Sequence, residues 1–339
     1  MSVIRRLARW EALLAFLLAA LVWIGSSSSP VFLTAGNLAN ATSAVMEVAI
    51  MALAMTLIII AGEIDLSVES MAGLAAAMLG FLWMSGVPLA LAIPAVIAMG
   101  ALGGLVNGLL VTVAGLPSLV VTLGTLALFR GLALIVLGSL AVSTFPPEFN
   151  AFGFGNVPGT PIPWPLVVFA LLAVVLGVVL HATWIGRHIF TVGKNQEAAR
   201  FSGIRVARLK TGLFVLSGTM AALAGVILTS RLSSARADTA TGMTLSVVTI
   251  VLLGGVSIFG GRGTIAGVIL AVFTLALLQN ELRLARVSAE LQSITLGLLL
   301  ILSVAIPTLA RQIRYAADRV GRSRSPPAGS VLSGEEATT

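Results

Sequence analysis

Four carboxylates lie close together in a chain that otherwise carries little charge, and carboxylates are groups that could couple ions. Glu47, Glu63, Asp65 and Glu69 fall within 23 residues. Ionisable side chains at membrane depth mark ion or substrate pathways. The other interpretation is structural: Glu63, Asp65 and Glu69 lie in or beside a short turn, where Asp65 can accept N–H groups of the following helix. The position of Asp65 directly before a helical run favours capping, and Glu47 is expected to be solvated.

One arginine has the opposite surroundings. Arg130 lies within the apolar run 126–137, with no acidic residue nearby in sequence. Its partner must therefore be a set of backbone carbonyls, a carboxylate from another helix, or water in a cavity. Pore lining and structural pairing both remain open for this residue.

Recognised catalytic motifs are missing from the sequence. There is no cysteine, and His181 and His188 flank a predicted membrane boundary at a spacing that does not indicate a metal site. Lys194 is followed by Asn195 and Lys210 by Thr211 without the glycine pattern of a phosphate-binding loop. The chain is therefore expected to hold no metal and no cofactor, and not to hydrolyse ATP itself.

The distribution of charge predicts the fold class. Sixty consecutive residues between Glu69 and Arg130 contain no Asp, Glu, Lys or Arg, and the chain is 58% hydrophobic and only 10% charged. A charge at the bilayer centre costs about 2.5–3.5 kcal/mol, and backbone polar groups in lipid must be satisfied internally. The sequence therefore predicts an all-α polytopic membrane protein. About ten spans fit, over 11–29, 45–62, 66–86, 88–114, 118–140, 164–184, 209–229, 244–258, 264–282 and 287–309.

The basic residues predict the orientation. With the N-terminus in the cytoplasm, fifteen Lys and Arg residues fall on the inner side and four on the outer side. The net charge of +7 is thus explained by topology and not by nucleic acid. The predicted organisation is a cytoplasmic N-terminus (1–10), a transmembrane domain (11–310) and a largely disordered cytoplasmic tail (311–339).

The most distinctive polar stretch is the predicted cytoplasmic loop 185–208. Its run from Asn195 to Ser202 contains good helix formers, and Gly203 can end that helix. A short helix held between two spans is a surface that a partner can bind. Within the fourth span, Gly100, Gly104 and Gly108 share one helix face and predict the close approach of another helix.

Four stretches, in order and far apart, resemble the permease subunits of bacterial ABC importers for monosaccharides, the ribose, xylose and rhamnose transporter group. Residues 62–68 read Gly-Glu-Ile-Asp-Leu-Ser-Val, and residues 117–125 read Pro-Ser-Leu-Val-Val-Thr-Leu-Gly-Thr. Residues 195–204 contain the Glu-Ala-Ala run, and residues 253–264 read Leu-Gly-Gly-Val-Ser-Ile-Phe-Gly-Gly-Arg-Gly-Thr. The likeness covers residues 30–310, and its last stretch looks closest to the rhamnose and autoinducer-2 branches.

The resemblance implies a type II ABC importer-like bundle in the bacterial inner membrane, with both termini cytoplasmic. A second permease subunit would complete the pore, a separate ATPase would drive it, and a periplasmic or lipid-anchored binding protein would deliver a pentose, a rhamnose-like deoxysugar or an autoinducer-2-like sugar. The implied ATPase-coupling residues are Gly193, Asn195, Glu197, Ala198, Ala199, Ser202 and Gly203. The candidate pathway or gating residues are Asp65, Ser67, Thr122, Thr125, Arg130, Gln279 and Asn280.

An alternative is a proton- or sodium-coupled secondary transporter that uses Glu63, Asp65 or Arg130. Two departures from the family pattern also bear on the pathway. Glu69 stands where a glycine is expected, and Thr244-Leu245-Ser246 replaces the more usual Glu-Leu-Asp. Both are expected to alter cavity polarity or gating.

Overall fold

The structure, a computed structural model, describes residues 3–305, with side chains from Trp10 onward. Secondary structure in that range is helical apart from two isolated β-bridges, Val142 with Ala235 and Asn156 with Pro163. The predicted tail 311–339, the end of the tenth predicted span and the first two residues lie outside the described residues.

Fourteen helices make up the described chain. They are α1 (Val3–Ser28), α2 (Ala35–Ser43), α3 (Met46–Ile60), α4 (Val68–Met84), α5 (Leu89–Thr112), α6 (Ser118–Leu137), α7 (Pro147–Phe154), α8 (Trp164–Ala182), α9 (Trp184–Lys194), α10 (Gln196–Phe201), α11 (Val206–Leu232), α12 (Met243–Leu253), α13 (Ile265–Leu284) and α14 (Ala289–Ala305).

A helix lies at the position of each of the ten predicted spans, and the remaining helices, α2, α7, α9 and α10, lie between these positions. Helices α1, α5, α6, α8, α11 and α13 are long and apolar enough to cross a membrane, and α2 with α3 forms a further candidate, bent by 48°. The remaining three positions hold the shorter apolar helices α4, α12 and α14. The all-helical membrane fold is thus confirmed, while a count of ten full spans stays a prediction.

Prolines set the starts of four helices. Pro88, Pro117, Pro146 and Pro163 directly precede α5, α6, α7 and α8. Proline fixes φ near −65° and removes an N–H group that would have no partner in the first turn, so it favours initiation at these points.

The centre of the bundle is α11, which packs against α3, α4, α5 and α7. The predicted glycine face of α5 lies on it. A Cβ atom added at Gly100, Gly104 or Gly108 would lie 2.4 Å from Gly218 O, 2.1 Å from Phe214 O and 2.8 Å from Thr211 Cα, respectively. The two backbones therefore touch, which confirms the close approach that the spacing predicted.

Two opposite faces of the bundle are distinguished by the short helices they carry. The α10 face holds α9, α10, the end of α3 and the 257–263 loop, and Gly193 packs there against Ile60 and Gly261. The α7 face holds α7 and the 138–145 loop, where Val142 pairs with Ala235. Between the faces, α5, α6 and α8 expose large aliphatic side chains such as Leu102, Ile135 and Leu171, as expected of a lipid-facing surface.

Candidate functional site

The Glu-Ala-Ala run forms a short helix with caps at both ends. Asn195 Oδ1 accepts the Ala198 N–H at 3.0 Å, and Ser202 Oγ donates to Ala198 O at 2.9 Å. Gly203 follows at φ +81°, a conformation that other residues rarely adopt. The helix therefore begins and ends within one residue of the predicted limits, because its caps are encoded locally.

Helix α10 presents one buried side and one exposed side. Ala199 is fully buried in a small apolar cluster with Val192 of α9 and Val206 of α11. Glu197 and Ala198 are exposed, and Phe201 is 93% exposed. Sequence reasoning missed Phe201, although an aromatic residue on a short polar helix was a visible signal. An exposed aromatic beside a carboxylate is suited to binding another protein.

Gly193 lies in a tight junction between three elements. A Cβ atom there would lie 1.7 Å from Ile60 O, at the end of α3, and 2.6 Å from Gly261 N. The Gly261 N–H in turn donates to Ile60 O at 2.8 Å. Only glycine fits, and α9 is thereby held against α3 and against the loop between α12 and α13.

Lys210 connects α10 to the turn between α3 and α4. Its Nζ forms an ion pair with Glu63 and donates to Gln196 Oε1 at 2.6 Å, and the lysine is only 5% exposed. A cavity of about 290 Å3 adjoins this pair, lined in part by Pro117 and Arg200. Glu63 thus forms an ion pair with Lys210, and this pair links α10 to the membrane helices.

Asp65 is the centre of a buried hydrogen-bond network. Its Oδ1 accepts from the Ser67 N–H at 3.0 Å and from Ser67 Oγ at 2.6 Å, and its Oδ2 accepts from Ser217 Oγ at 2.7 Å. Asn107 Nδ2 donates to Ser67 Oγ at 2.9 Å. The network joins the turn before α4 to α5 and α11. Asp65 accepts the N–H of Ser67, the N-cap residue itself, so it stabilises this turn and does not bond an N–H group within α4.

The two departures from the family pattern lie in contact. The Thr244 N–H donates to Glu69 Oε2 at 2.9 Å, and Thr244 Oγ1 donates to Leu66 O at 3.4 Å. Gly242, the N-cap of α12, has no side chain of its own to cap the helix. Glu69 therefore supplies the N-terminal cap of α12 from the neighbouring helix, and its negative charge suits the positive end of the helix dipole.

Four of the candidate pathway residues have their polar groups engaged locally or buried. Thr122 Oγ1 donates to Ser118 O at 2.8 Å, and Thr125 Oγ1 donates to Val121 O at 3.1 Å, both within α6. Asn280 is 5% exposed, and its Nδ2 has no hydrogen-bond partner among the residues that the structure describes. Gln279 is partly buried beside it. The two threonines thus lie on the buried face of α6, and Gln279 and Asn280 lie on α13.

Arg130 is exposed on α6. Arg130 follows the buried Phe129 and lies within electrostatic reach of Asp238.

Glu47 was expected to be solvated, which is wrong: it is 0% exposed and its Oε1 accepts from Arg231 Nε at 2.7 Å. The partner is 184 residues away in sequence, so no local pattern could indicate it.

Metal-ligating side chains do not assemble within the described range. No group of three or more His, Asp or Glu side chains that could hold a metal ion occurs between Trp10 and residue 305. The polar groups found there instead join helices to one another.

Comparison with known proteins gives a consistent family. The family model described as branched-chain amino acid transport system / permease component matches residues 37–304. The autoinducer 2 import system permease protein LsrD of Yersinia pseudotuberculosis is 37% identical over 310 residues, covering 90% of this chain and 92% of the relative. LsrD of Yersinia pestis is 36% identical over the same shares of the two chains. No solved structure matches this chain. The chain, matched over most of its length by the family model and by these relatives, belongs to this family of transport-system permease components.

Proposed function

We propose that this chain is the membrane subunit of an ABC importer that takes up autoinducer 2 or a similar small sugar-like solute, driven by a separate ATPase that docks on α10. The substrate class is supported by the relatives, which are autoinducer 2 import permeases at up to 37% identity over 90% of the chain. The ATPase and the solute-binding protein are the partners that such an import system requires.

The observation that carries the docking role is the pattern of burial on α10. Its inner side is fixed by Ala199, whereas Glu197, Ala198 and Phe201 are exposed to solvent at one end of the bundle. A rigid helix with an exposed aromatic residue loses little conformational entropy when a partner binds it. The predicted coupling residues Asn195, Ser202 and Gly203 support this role as caps of the helix.

A continuous set of contacts connects α10 with the membrane helices. Gln196 contacts Lys210, which pairs with Glu63 in the turn between α3 and α4. Two residues further on, Asp65 is bonded to Ser67 and to Ser217 of α11. Movement of α10 on the ATPase would therefore displace the turn that begins α4. This supports transmission of the ATPase motion through the turn.

The distribution of charge supports an inward-facing α10. The described Lys and Arg residues assigned to the cytoplasmic side lie at or near the α10 face: Arg187, Lys194, Arg200, Arg205, Arg208, Lys210 and Arg262. Such a bias supports a cytoplasmic location for that face. Glu63 and Asp65 are meanwhile engaged in an ion pair and a hydrogen-bond network, so the ion-coupled alternative has no free carboxylate in this turn.

The experiment is ATP-dependent uptake by the permease reconstituted with its ATPase and binding protein. Vesicles that contain the wild-type permease and its partners should accumulate autoinducer 2 only when ATP is present on the side of the membrane where the ATPase is bound. Phe201→Ala should reduce both uptake and co-purification of the ATPase at least about tenfold, as loss of an interface anchor does.

The matched control is Phe154→Ala, which removes a 59% exposed phenylalanine from the α7 face and should leave ATPase binding intact. Uptake driven by an ion gradient, with no ATPase present, would contradict the proposal.

A further inference from the structure

The link between α11 and α12 lies along α4, inside the bundle. Residues 233–242 form no helix. A Cβ atom at Gly80 would lie 2.8 Å from Ala235 Cβ, one at Gly73 would lie 3.1 Å from Ala237 O, and Thr244 bonds Glu69. From Gly80 to Glu69, α4 rises by about 16 Å at 1.5 Å per residue. This link, named here the 233–242 segment, therefore covers the half of the bundle on the α7 side, and α12 covers the other half.

The segment alternates between buried alanines and exposed charges. Ala235 and Ala237 are buried, at 0% and 7% exposure, whereas Arg236 and Asp238 are exposed. The alanines thus pack on the glycines of α4, and the charged side chains point away from the bundle core. This pattern is what a polar surface backed by tight packing requires.

The exposed side chains form a cluster of charges. Arg236 Nε and a second guanidinium nitrogen donate to the two carboxylate oxygens of Asp238 at 3.0 and 3.2 Å. Arg130 of α6 lies within electrostatic reach of the same carboxylate. A cavity of about 190 Å3 adjoins the pair, lined also by Leu134, Gly138 and Ser139. A cavity of this size holds several water molecules, so it also admits a small solute.

Lipid is the wrong environment for such a surface. Charged side chains within the hydrocarbon region are costly, and non-helical backbone at membrane depth is tolerated where it is buried in protein or lines a water-filled cavity. The Arg236–Asp238 pair is more than half exposed in the single chain, so it is not buried by this subunit. The segment therefore faces water, either at the α7 face or within a pathway, or it faces another subunit.

We propose that the 233–242 segment and Arg130 form a solute-binding site on the α7 side of the pathway, where Arg130, Arg236 and Asp238 hydrogen-bond the hydroxyl groups of a small neutral polyhydroxylated solute. Guanidinium groups supply only donors and a carboxylate supplies only acceptors, whereas a hydroxyl group is both. A paired Arg and Asp can therefore bind adjacent hydroxyls without a fixed countercharge on the solute. This inference rests on the proposed function and locates its substrate.

The natural lack of cysteine permits a direct test. Thr241→Cys places a single thiol on an exposed position of the segment, and Glu290→Cys places one on an exposed position beyond it. In vesicles, both should react with a membrane-impermeant maleimide added on the α7 side. Autoinducer 2 should slow labelling at position 241 severalfold and leave position 290 unaffected.

Uptake kinetics provide the second measurement. Asp238→Asn and Arg236→Gln should each raise the solute KM about tenfold or more, because each loses a charge-assisted hydrogen bond. The exchanged double variant, Arg236→Asp with Asp238→Arg, restores an ion pair but reverses the donors and acceptors, so KM should remain raised. Glu290→Gln should behave as wild type.

Three results would overturn the site. The exchanged double variant could restore the wild-type KM, which would make the pair structural. Solute could fail to protect position 241 while wild-type protein transports normally. Alternatively, the thiol at 241 could be unreactive and form a disulfide with a second copy of the chain, which would assign the surface to a subunit contact. Failure of wild-type uptake with ATP and the ATPase present would instead refute the proposed function.

Discussion

Helices α11 and α12 occupy consecutive positions in the chain and cross the same bundle in opposite ways. Helix α11 runs without a break for 27 residues, from Val206 to Leu232. Helix α12 has only 11 residues, from Met243 to Leu253, and the non-helical 233–242 segment precedes it. The difference shows that one passage through the bundle is built for packing and the other for exposing polar groups.

Backbone hydrogen bonding explains how the bundle accommodates both the continuous helix α11 and the non-helical 233–242 segment. All interior N–H groups of α11 can bond within the helix. In the 233–242 segment, Ala235 exchanges two hydrogen bonds with Val142 at 2.8 and 3.0 Å, and the Thr241 N–H donates to Asp238 O at 3.1 Å. Bonds to a loop on the α7 face and turns within the segment thus replace part of the helical ladder. The helix that packs most tightly needs no such partners, and the segment that carries charge depends on them.

The largest effect is expected from a substitution that forces α11 away from α5, because it tests whether α11 is built for close packing. In Gly104→Leu the new Cβ would lie 2.1 Å from Phe214 O, a backbone atom that cannot move alone. We expect destabilisation of at least about 3 kcal/mol, seen as loss of folded protein from the membrane and a lower Tm in detergent. Gly124→Leu is the matched control, since nothing lies within 4 Å of a Cβ at that helical glycine. Equal losses in both variants would show that close packing of α11 is not the cause.

A second test acts at the α10 end of α11. Lys210→Met leaves Glu63 without its ion-pair partner in a largely buried position, where removal of one partner costs about 3–5 kcal/mol. The double variant Glu63→Gln with Lys210→Met should recover most of that loss, because no uncompensated charge remains. Thermal unfolding of the four proteins in detergent gives the coupling free energy, and simple additivity would refute the interaction.

The smallest expected effect concerns the start of α12. Glu69→Ala removes the carboxylate that accepts the Thr244 N–H, and loss of a helix N-cap costs about 1 kcal/mol. Maleimide labelling of a cysteine at Leu245 should become faster in this background, since the first turn of α12 loosens. Glu148→Ala, at the exposed start of α7, is the control. Unchanged labelling at position 245 would show that α12 does not depend on Glu69.

Local features were predictable because their causes lie within a few residues. Asn195 and Gly203 bracket α10, and Gly100, Gly104 and Gly108 identify the face of α5 that α11 covers. The approximate start of each membrane helix follows from hydrophobic runs and prolines. By contrast, Glu47 was misjudged as solvated, and the contacts of Asp65 with Ser217 and of Glu69 with Thr244 span 152 and 175 residues. Such partners depend on how the helices pack.

Composition and periodicity alone fixed the environment of the chain and the order of its helices, because lipid excludes charge and requires backbone bonds to close locally. The amino-acid order also specified the short helix on the α10 face through its own caps. Only the tertiary structure decided which carboxylates are paired, that the helix of the eighth predicted span ends at Leu253, and that Arg236 and Asp238 adjoin a cavity beside the end of α6. Those outcomes depend on contacts between residues far apart in sequence, whose energies exist only when the bundle is assembled.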